Sequence, residues 1–338
     1  MKKILSLAII TALLICVNDN ANAKIRRVGY FGTPVAGTDY ATLQLAHDAA
    51  SSGDSVFLFP GSWTATINKK LIVLGYGYFI SGTASNANLQ SIAGALTVNV
   101  TLGGKASTSA FEGIDGLTVI PALDSVVNNI TLRRCKGNFY FNNKTYDSWQ
   151  IVQCYVDNLT SYYAGGKVTN LRVDNCFINT LGLSSLLTIG SNGQFNNDIF
   201  YSTNFGNGSY LVKNSVFLLN HVTDINCVYQ NSIGNTDYGP IPSGNGNQNI
   251  TGALMSTTVF VGYSTIGSFS NDGRFVLKAG SPAISTGAGG TDCGIFGGTG
   301  PYKLSGIPRI PSFYKVTSTS TSTSTNPYTI TFSVRSNN

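Results

Sequence analysis

Ile130-Thr-Leu-Arg-Arg-Cys135, Trp149-Gln-Ile-Val-Gln-Cys154, Leu171-Arg-Val-Asp-Asn-Cys176 and Tyr210-Leu-Val-Lys-Asn-Ser215 are four copies of one pattern. Looser copies end at Asp198 and Ser232, so successive anchor residues stand 19, 22, 22, 17 and 17 apart. Each copy alternates apolar and polar positions, the period-2 spacing of a strand. A repeat near twenty residues built from short strands predicts a solenoid in which each turn stacks on the last.

Aligning the copies on the anchor yields a register. Five and three residues before it stand Ile130 and Leu132, Trp149 and Ile151, Leu171 and Val173, Tyr210 and Val212, Cys227 and Tyr229, which predicts one inward strand face. Two residues after it stand Val156, Ile178, Phe200 and Phe217, the next inward strand. The position just before the anchor carries Arg134, Gln153, Asn175, Asn197, Asn214 and Asn231. Four consecutive asparagines at one turn predict a ladder, each side chain bonding its own bent backbone and the amide of the next coil. The anchors Cys135, Cys154 and Cys176 form a column of small buried side chains. Asp198 is the misfit in that column, and the expectation is a bulge that turns it outward, with a buried acid as the alternative.

The chain opens Met-Lys-Lys, continues apolar from Ile4 to Val17 and reaches Ala21-Asn22-Ala23, a signal peptide with cleavage expected after Ala23. Ile15 occupies the place before Cys16 where a lipobox needs a small residue, which argues against lipidation. The mature protein is therefore expected to be secreted or held at the outer cell surface, with no membrane span. Removing residues 1–23 takes away Lys2, Lys3 and Asp19 from 21 basic and 15 acidic residues, leaving 19 against 14, or +5. That weak, unclustered charge argues against a nucleic-acid partner. Charged residues make up only 11% of the chain, which suits turns and exposed strand faces better than amphipathic helices. Five cysteines remain after cleavage; the odd count favours buried thiols, although coils about 4.8 Å apart leave a Cys135–Cys154 bridge open. They show no C-x-x-C or Cys/His grouping that would hold a metal.

Residues 39–50 read as a short Ala-rich helix with Asp39 or Thr38 as N-cap and Gly53 ending it, followed by a strand over residues 55–59 stopped by Pro60-Gly61. Further strands are predicted over 70–74, 96–102 and 117–120. The helix followed by "SGDSVFLFPGSW" resembles the N-terminal cap of right-handed parallel β-helix proteins of the pectin-lyase-like class. From Phe275 the pattern L-x-x-GSPAI…G…TD-x-G-x-FGG, before a Pro-rich exit, resembles the closing segment of secreted β-helix proteins of Bacteroidota type. The resemblance implies an all-β fold, a right-handed single-stranded parallel β-helix with a short capping helix, and it implies no activity. The predicted organisation is a signal peptide at 1–23, an N-terminal cap at 24–65, the β-helix with its closing segment at 66–311, and a tail at 312–338. Two alternating runs around Asn326-Pro327 make that tail a C-terminal β-hairpin, with a disordered or glycosylated Ser/Thr linker as the alternative. Ile330, Phe332 and Val334 predict docking of its last strand.

Sugar-cleaving chemistry needs paired carboxyls roughly 5 to 9.5 Å apart. The sequence has no Asp-Asp pair, no Asn-x-Asp followed by Gly-His-Gly and no visible stack of acids, and Asp157 and Asp174 fall at different turn positions. Two residues before the anchor the column reads Arg133, Val152, Asp174, Asn196, Lys213, Gln230, a mixture expected to be solvated surface charge. His47 and His221 have no nucleophile around them and read as structural. No cofactor is expected; calcium at Gly287-Ala-Gly-Gly-Thr-Asp292 is the one ion considered, against a plain turn and strand. The Thr-Ser run is too local for an ice-binding array. Exposed rings that stack on sugars are the remaining signal, at Tyr140, Tyr155, Tyr162 and Tyr163. These features favour a non-catalytic adhesin or glycan-binding module whose partner is an extracellular polysaccharide or cell-surface component. A polysaccharide lyase or glycoside hydrolase, and a structural fibre or matrix subunit self-associating through the C-terminal strand, are the alternatives.

Overall fold

The computed structural model describes residues 23–80, 95–163, 165–183, 192–206, 208–219, 221, 226–263, 269–318 and 329–336. Residues 1–22, which cover most of the expected signal peptide, and residues 319–328, which cover most of the Thr-Ser run and the Asn326-Pro327 turn, lie outside the described residues. The six copies form the coils of a parallel β-solenoid. Their first strands, Thr131–Arg133, Gln150–Val152, Arg172–Asp174, Gly193–Asn196, Tyr210–Lys213 and Val228–Gln230, lie side by side in an 11-stranded sheet. Their second strands, Lys136–Phe141, Tyr155–Ser161, Phe177–Gly182, Ile199–Asn204, Val216–Phe217 and Ile233–Asn235, lie in a 10-stranded sheet. Within both sheets every pairing is parallel. Thr145–Asp147 and Lys167–Thr169 pair as a short third face.

The inward columns fall where alternation put them: Ile130, Leu132, Trp149, Ile151, Val173 and Val212 are fully buried. The residue before each anchor makes the bend between the sheets, with φ of 49–57° at Arg134, Gln153, Asn175, Asn197, Asn214 and Asn231. Asparagine tolerates this left-handed region better than most residues, which explains its recurrence. A second left-handed corner precedes the first sheet, at Asn129, Ser148 and Asn170. In the second sheet the register skips one residue between Gly137 and Asn138, so Asp157 is the extra residue of a bulge.

The hydrogen-bonded ladder between coils runs through the anchors rather than the asparagines. The N–H of Cys135 donates to Cys154 Sγ at 3.4 Å and that of Cys154 to Cys176 Sγ at 3.3 Å. Cys176 N then donates to Asp198 Oδ1 at 2.7 Å, Asp198 N to Ser215 Oγ and Ser215 N to Ser232 Oγ, both at 3.1 Å, and Ser232 N to Asn247 Oδ1. At a tight corner each anchor N–H points along the solenoid axis, and the next anchor's side chain supplies its acceptor. Asp198 therefore does not turn outward on a bulge: it is fully buried and fills the acceptor role of its column. Cys135 and Cys154 both keep unoxidised thiols, so the Cys135–Cys154 bridge does not form. Burial pushes the thiols of Cys135 and Cys176 up, as expected for inert packing groups.

The N-terminal helix spans Leu43–Ala49 and buries Leu43, Ala46 and His47 against the first coils. Its N-cap is Thr42, whose side chain accepts from Leu45 N, not Asp39 or Thr38. Asp39 instead lies in the strand Asp39–Tyr40, where its carboxylate takes two hydrogen bonds from Arg27 at 2.6 and 2.7 Å. A Thr42→Ala change is expected to cost about 1 kcal/mol, readable as a lowered midpoint in urea. Before the helix, Ile25–Val28 already pairs with Ser55–Leu58, so the cap region adds strands to the first sheet. At the other end a turn of π-helix, Met255–Val259, packs Met255 and Val259 inward. Among the described residues no helix is long and apolar enough to cross a membrane.

The tail is an antiparallel hairpin of Ser312–Ser318 with Ile330–Arg335. The side chains expected to dock its last strand, Ile330, Phe332 and Val334, are 46%, 57% and 51% exposed, so they are not buried against the solenoid's core. The hairpin is a separate two-stranded sheet, each strand pairing on one side only.

Candidate functional site

Residues 283–310 form a strap that runs back along the bend between the two sheets, from the last coils to the first. The asparagine corner holds it. Asn175 Nδ2 donates to the carbonyls of Ile295 and Gly297 at 2.9 and 2.8 Å, and Asn197 Nδ2 to that of Asp292 at 2.9 Å. Asn214 accepts from Ala288 N through Oδ1 and from Gly294 N through its carbonyl, both at 2.8 Å. Lower down, Gln153 Nε2 donates to the carbonyls of Gly300 and Pro301, Arg134 donates to Ile307 O, and Arg309 grips the Glu112 carboxylate through its backbone N–H, Nε and Nη2. This corrects the ladder expected of the asparagines: only Asn214 Nδ2 to Asn197 Oδ1, at 3.4 Å, links two of them between coils. Left-handed corners point these side chains away from their own coil, and the strap supplies the acceptors. Residues 287–292 belong to the strap, and Asp292 Oδ1 accepts from Ser285 N.

Between the strap and the outer face of the first sheet lies a groove of about 600 Å³. Gln150, Arg172, Asp174 and Asn196 line its floor, Thr299 and Gly300 its rim, and Arg133 one end. These column residues are not simply solvated charges. Asp174 is buried, accepting from Asn196 Nδ2 at 2.9 Å and from Arg172 Nε. Arg133 is half-buried and burial lowers its pKa, which marks a cation short of compensation.

The four tyrosines part company. Tyr140 faces outward from the second sheet, its ring 5.6 Å from that of Tyr162, which stands 5.1 Å from that of Tyr163. Tyr162 and Tyr163 are 59% and 44% exposed. Tyr155 does not join them: it is 8% exposed, stacked on Phe177 at 4.6 Å and edge-on to Phe79. Beside this cluster, in which Tyr140 is half-buried, the outer face of the sheet carries a column of uncharged polar residues. Register places Thr118, Asn138, Asn158, Thr180 and Ser202 in one column, with Asn158 Nδ2 donating to Asn138 Oδ1 at 2.6 Å. Thr160 stands directly beside Tyr140 on the neighbouring strand.

A third arrangement escaped sequence reasoning. Lys136 Nζ sits 3.4 Å from Asp115 Oδ1 and 3.6 Å from Asp157 Oδ2, and 5.8 Å from the centroid of the Phe79 ring. Burial pushes the Asp157 carboxyl above its ordinary range, against the pull of Lys136. Nearby Tyr76 is pushed up to about 12, by burial and then by the Asp115 charge. Positions 115, 136 and 157 are 21 apart, one coil each, and that spacing was the available signal. The bulge at Asp157 shifts it out of strict register, which hid the match. His47 and His221 are structural: His47 Nε2 accepts from Asn68 N, and His221 Nδ1 pairs with Thr203 Oγ1 at 2.8 Å. Among the described residues no cluster of three His, Cys, Asp or Glu could hold a metal. No protein-family model matches the chain, and no curated protein matches it.

Proposed function

We propose that this protein is a secreted or cell-surface module of the pectin-lyase-like kind that binds an extracellular glycan without cleaving it. The observation that carries this reading is the cluster of exposed Tyr162 and Tyr163 with half-buried Tyr140, at the edge of an amide and hydroxyl face. Aromatic rings offer apolar faces to the C–H side of a sugar while neighbouring amides exchange hydrogen bonds with its hydroxyls. Clustered exposed aromatics on a soluble fold are otherwise a liability, which supports a ligand-facing role. In a panel of neutral polysaccharides, at least one is expected to retain the protein. The Tyr162→Ala/Tyr163→Ala double variant is expected to lose about tenfold or more of that affinity, at an unchanged melting midpoint. Equal retention of the variant removes the proposal.

The Asp115–Lys136–Asp157 cluster favours one second reading, a polysaccharide lyase or hydrolase, because a carboxyl held toward its protonated form beside an ammonium is a proton-transfer arrangement. Release of unsaturated products or reducing ends, abolished by Lys136→Met and surviving Tyr162→Ala, would establish it over the binding module.

A further inference from the structure

We propose that two copies of this chain exchange their C-terminal hairpins, each hairpin packing its apolar side on the outer face of the first strands of the other copy's first sheet. The contact lies on a different sheet from the tyrosine cluster and does not depend on glycan binding.

The hairpin needs a surface to pack on. Two strands by themselves are marginal in water and become stable only when a hydrophobic face is covered. Ser312–Ser318 and Ile330–Arg335 pair with each other and with no third strand among the described residues. Ile330, Phe332 and Val334 alternate along the second strand, so they share one face, and all three are exposed. The root of the hairpin is fixed. Arg309 grips the buried Glu112 carboxylate, Ile310 lines one pocket with Leu74, and Pro311 alone separates this anchor from the strand that begins at Ser312. A single residue with a locked φ leaves no slack for folding back across the chain's own sheet, and so short a hinge favours exchange between copies.

The complementary surface begins at that root. In the first strands of the first sheet apolar residues occupy both faces. Val28, Val56, Leu58 and Val73 point inward and are fully buried. The alternate, outward positions carry Ile25, Phe57, Phe59 and Leu74, where later strands of the same sheet carry Gln150, Arg172 and Gln194. The Phe59 ring stands 5.4, 5.7 and 5.2 Å from those of Tyr30, Phe31 and Phe57. Ile25, Tyr30 and Phe31 are 64%, 36% and 72% exposed. The inward positions already fill the core, so core packing does not explain these rings, and a contiguous apolar patch on a soluble fold marks an association surface. Phe57 lies directly beside Leu74 on the next strand, and Leu74 shares its pocket with Ile310, so patch and hairpin root are neighbours. That placement lets two copies make both contacts at once about a two-fold axis, which closes the pair and leaves no open end for a fibre.

Sedimentation velocity of the mature chain over a range of concentrations is expected to show a monomer–dimer equilibrium and no larger species. Phe31→Ser in the patch and Phe332→Ser in the hairpin are each expected to weaken dimerisation about tenfold or more, the scale set by burying one aromatic side chain. Both side chains are exposed, so circular dichroism of the variants is expected to match the parent. Leu123→Ser, which removes an apolar side chain 56% exposed elsewhere on the surface, is expected to dimerise within about twofold of the parent. A benzophenone side chain in place of Phe332 keeps an aromatic ring there. On irradiation it is expected to join two chains, with its attachment in residues 25–35 or 57–59 of the other copy. The proposal falls if the chain is monomeric up to about 100 μM, if either Phe→Ser variant dimerises like the parent, or if assembly continues past the dimer. It falls equally if the benzophenone attaches within its own chain, to the other copy's hairpin, or to added lipid vesicles. Those outcomes would make the occupant the chain's own solenoid, a paired strand edge or a membrane surface. Loss of neutral-glycan retention leaves all of these readouts untouched, so the two readings fail separately.

Discussion

A chain ending at residue 282 is expected to lose cooperative folding altogether, while one ending at residue 310 keeps it. The shorter chain lacks the strap, and with it Ala283, Cys293, Ile295 and Tyr302, each at most 3% exposed. Their removal uncovers Tyr78, Phe177, Ile199 and Val216, with which they form one buried cluster. Each large apolar side chain so exposed costs roughly 1.5 to 3 kcal/mol, and a domain has only about 5 to 15 kcal/mol in total. The polar side is as damaging. Tyr78 and Tyr302 share a 2.5 Å hydroxyl contact, Ser305 N donates to the buried Asp272 at 2.6 Å, and the Asn175 and Asn197 amides would lose their acceptors. The chain ending at 310 loses only the hairpin, whose ladder pairs with itself. Near-ultraviolet circular dichroism and thermal melts read both. A sharp transition in the chain ending at 282, within a few degrees of the full protein, would show the strap to be an accessory.

Asp198→Asn is expected to stabilise the protein increasingly as pH rises. Burial, and after it the nearby Asp174 charge, hold the Asp198 carboxyl well above its ordinary range, while its contact with the Cys176 N–H pulls the other way. In the unfolded chain the same group ionises near pH 4. Between these two values the unfolded state has released the proton and the folded state keeps it. Stability therefore falls with pH across that window, by about 1.4 kcal/mol per unit, and is fully retained below pH 4. Asparagine preserves the acceptor for the Cys176 N–H and does not ionise. The two proteins should be similar near pH 4 and diverge toward pH 8. Asp272 and Asp157 are also shifted upward, so the difference between the two curves, not either alone, isolates Asp198. Parallel curves from pH 4 to 8 would mean that the folded state ionises Asp198 freely.

Periodicity alone specified the coils, the inward columns and the corner residues, because alternation and left-handed bends are settled by each residue's immediate neighbours along the chain. Trp149, Ile151, Phe200 and Phe217 lie where the register put them, and the tail pairs as the hairpin its alternation predicted. What the period could not carry is what the side chains at the corners and on the outer faces meet. The partners of Asn175, Gln153 and Arg134 lie 120 to 173 residues away in the strap. Asp198 reads as a misfit until the anchor N–H of the previous coil is seen to need an acceptor. Lys136 is flanked by Asp115 and by Asp157, the bulge residue, from the coils on either side, and Tyr155, apparently outward, is closed over by Phe177 and Phe79. The sequence by itself determined a parallel solenoid and its register, since stacking repeats is a nearest-neighbour problem. Tertiary structure alone decided the groove, the Lys136 cluster and the patch of Tyr140, Tyr162 and Tyr163, since each is made by segments that meet only after the coils have closed or the strap has returned along them.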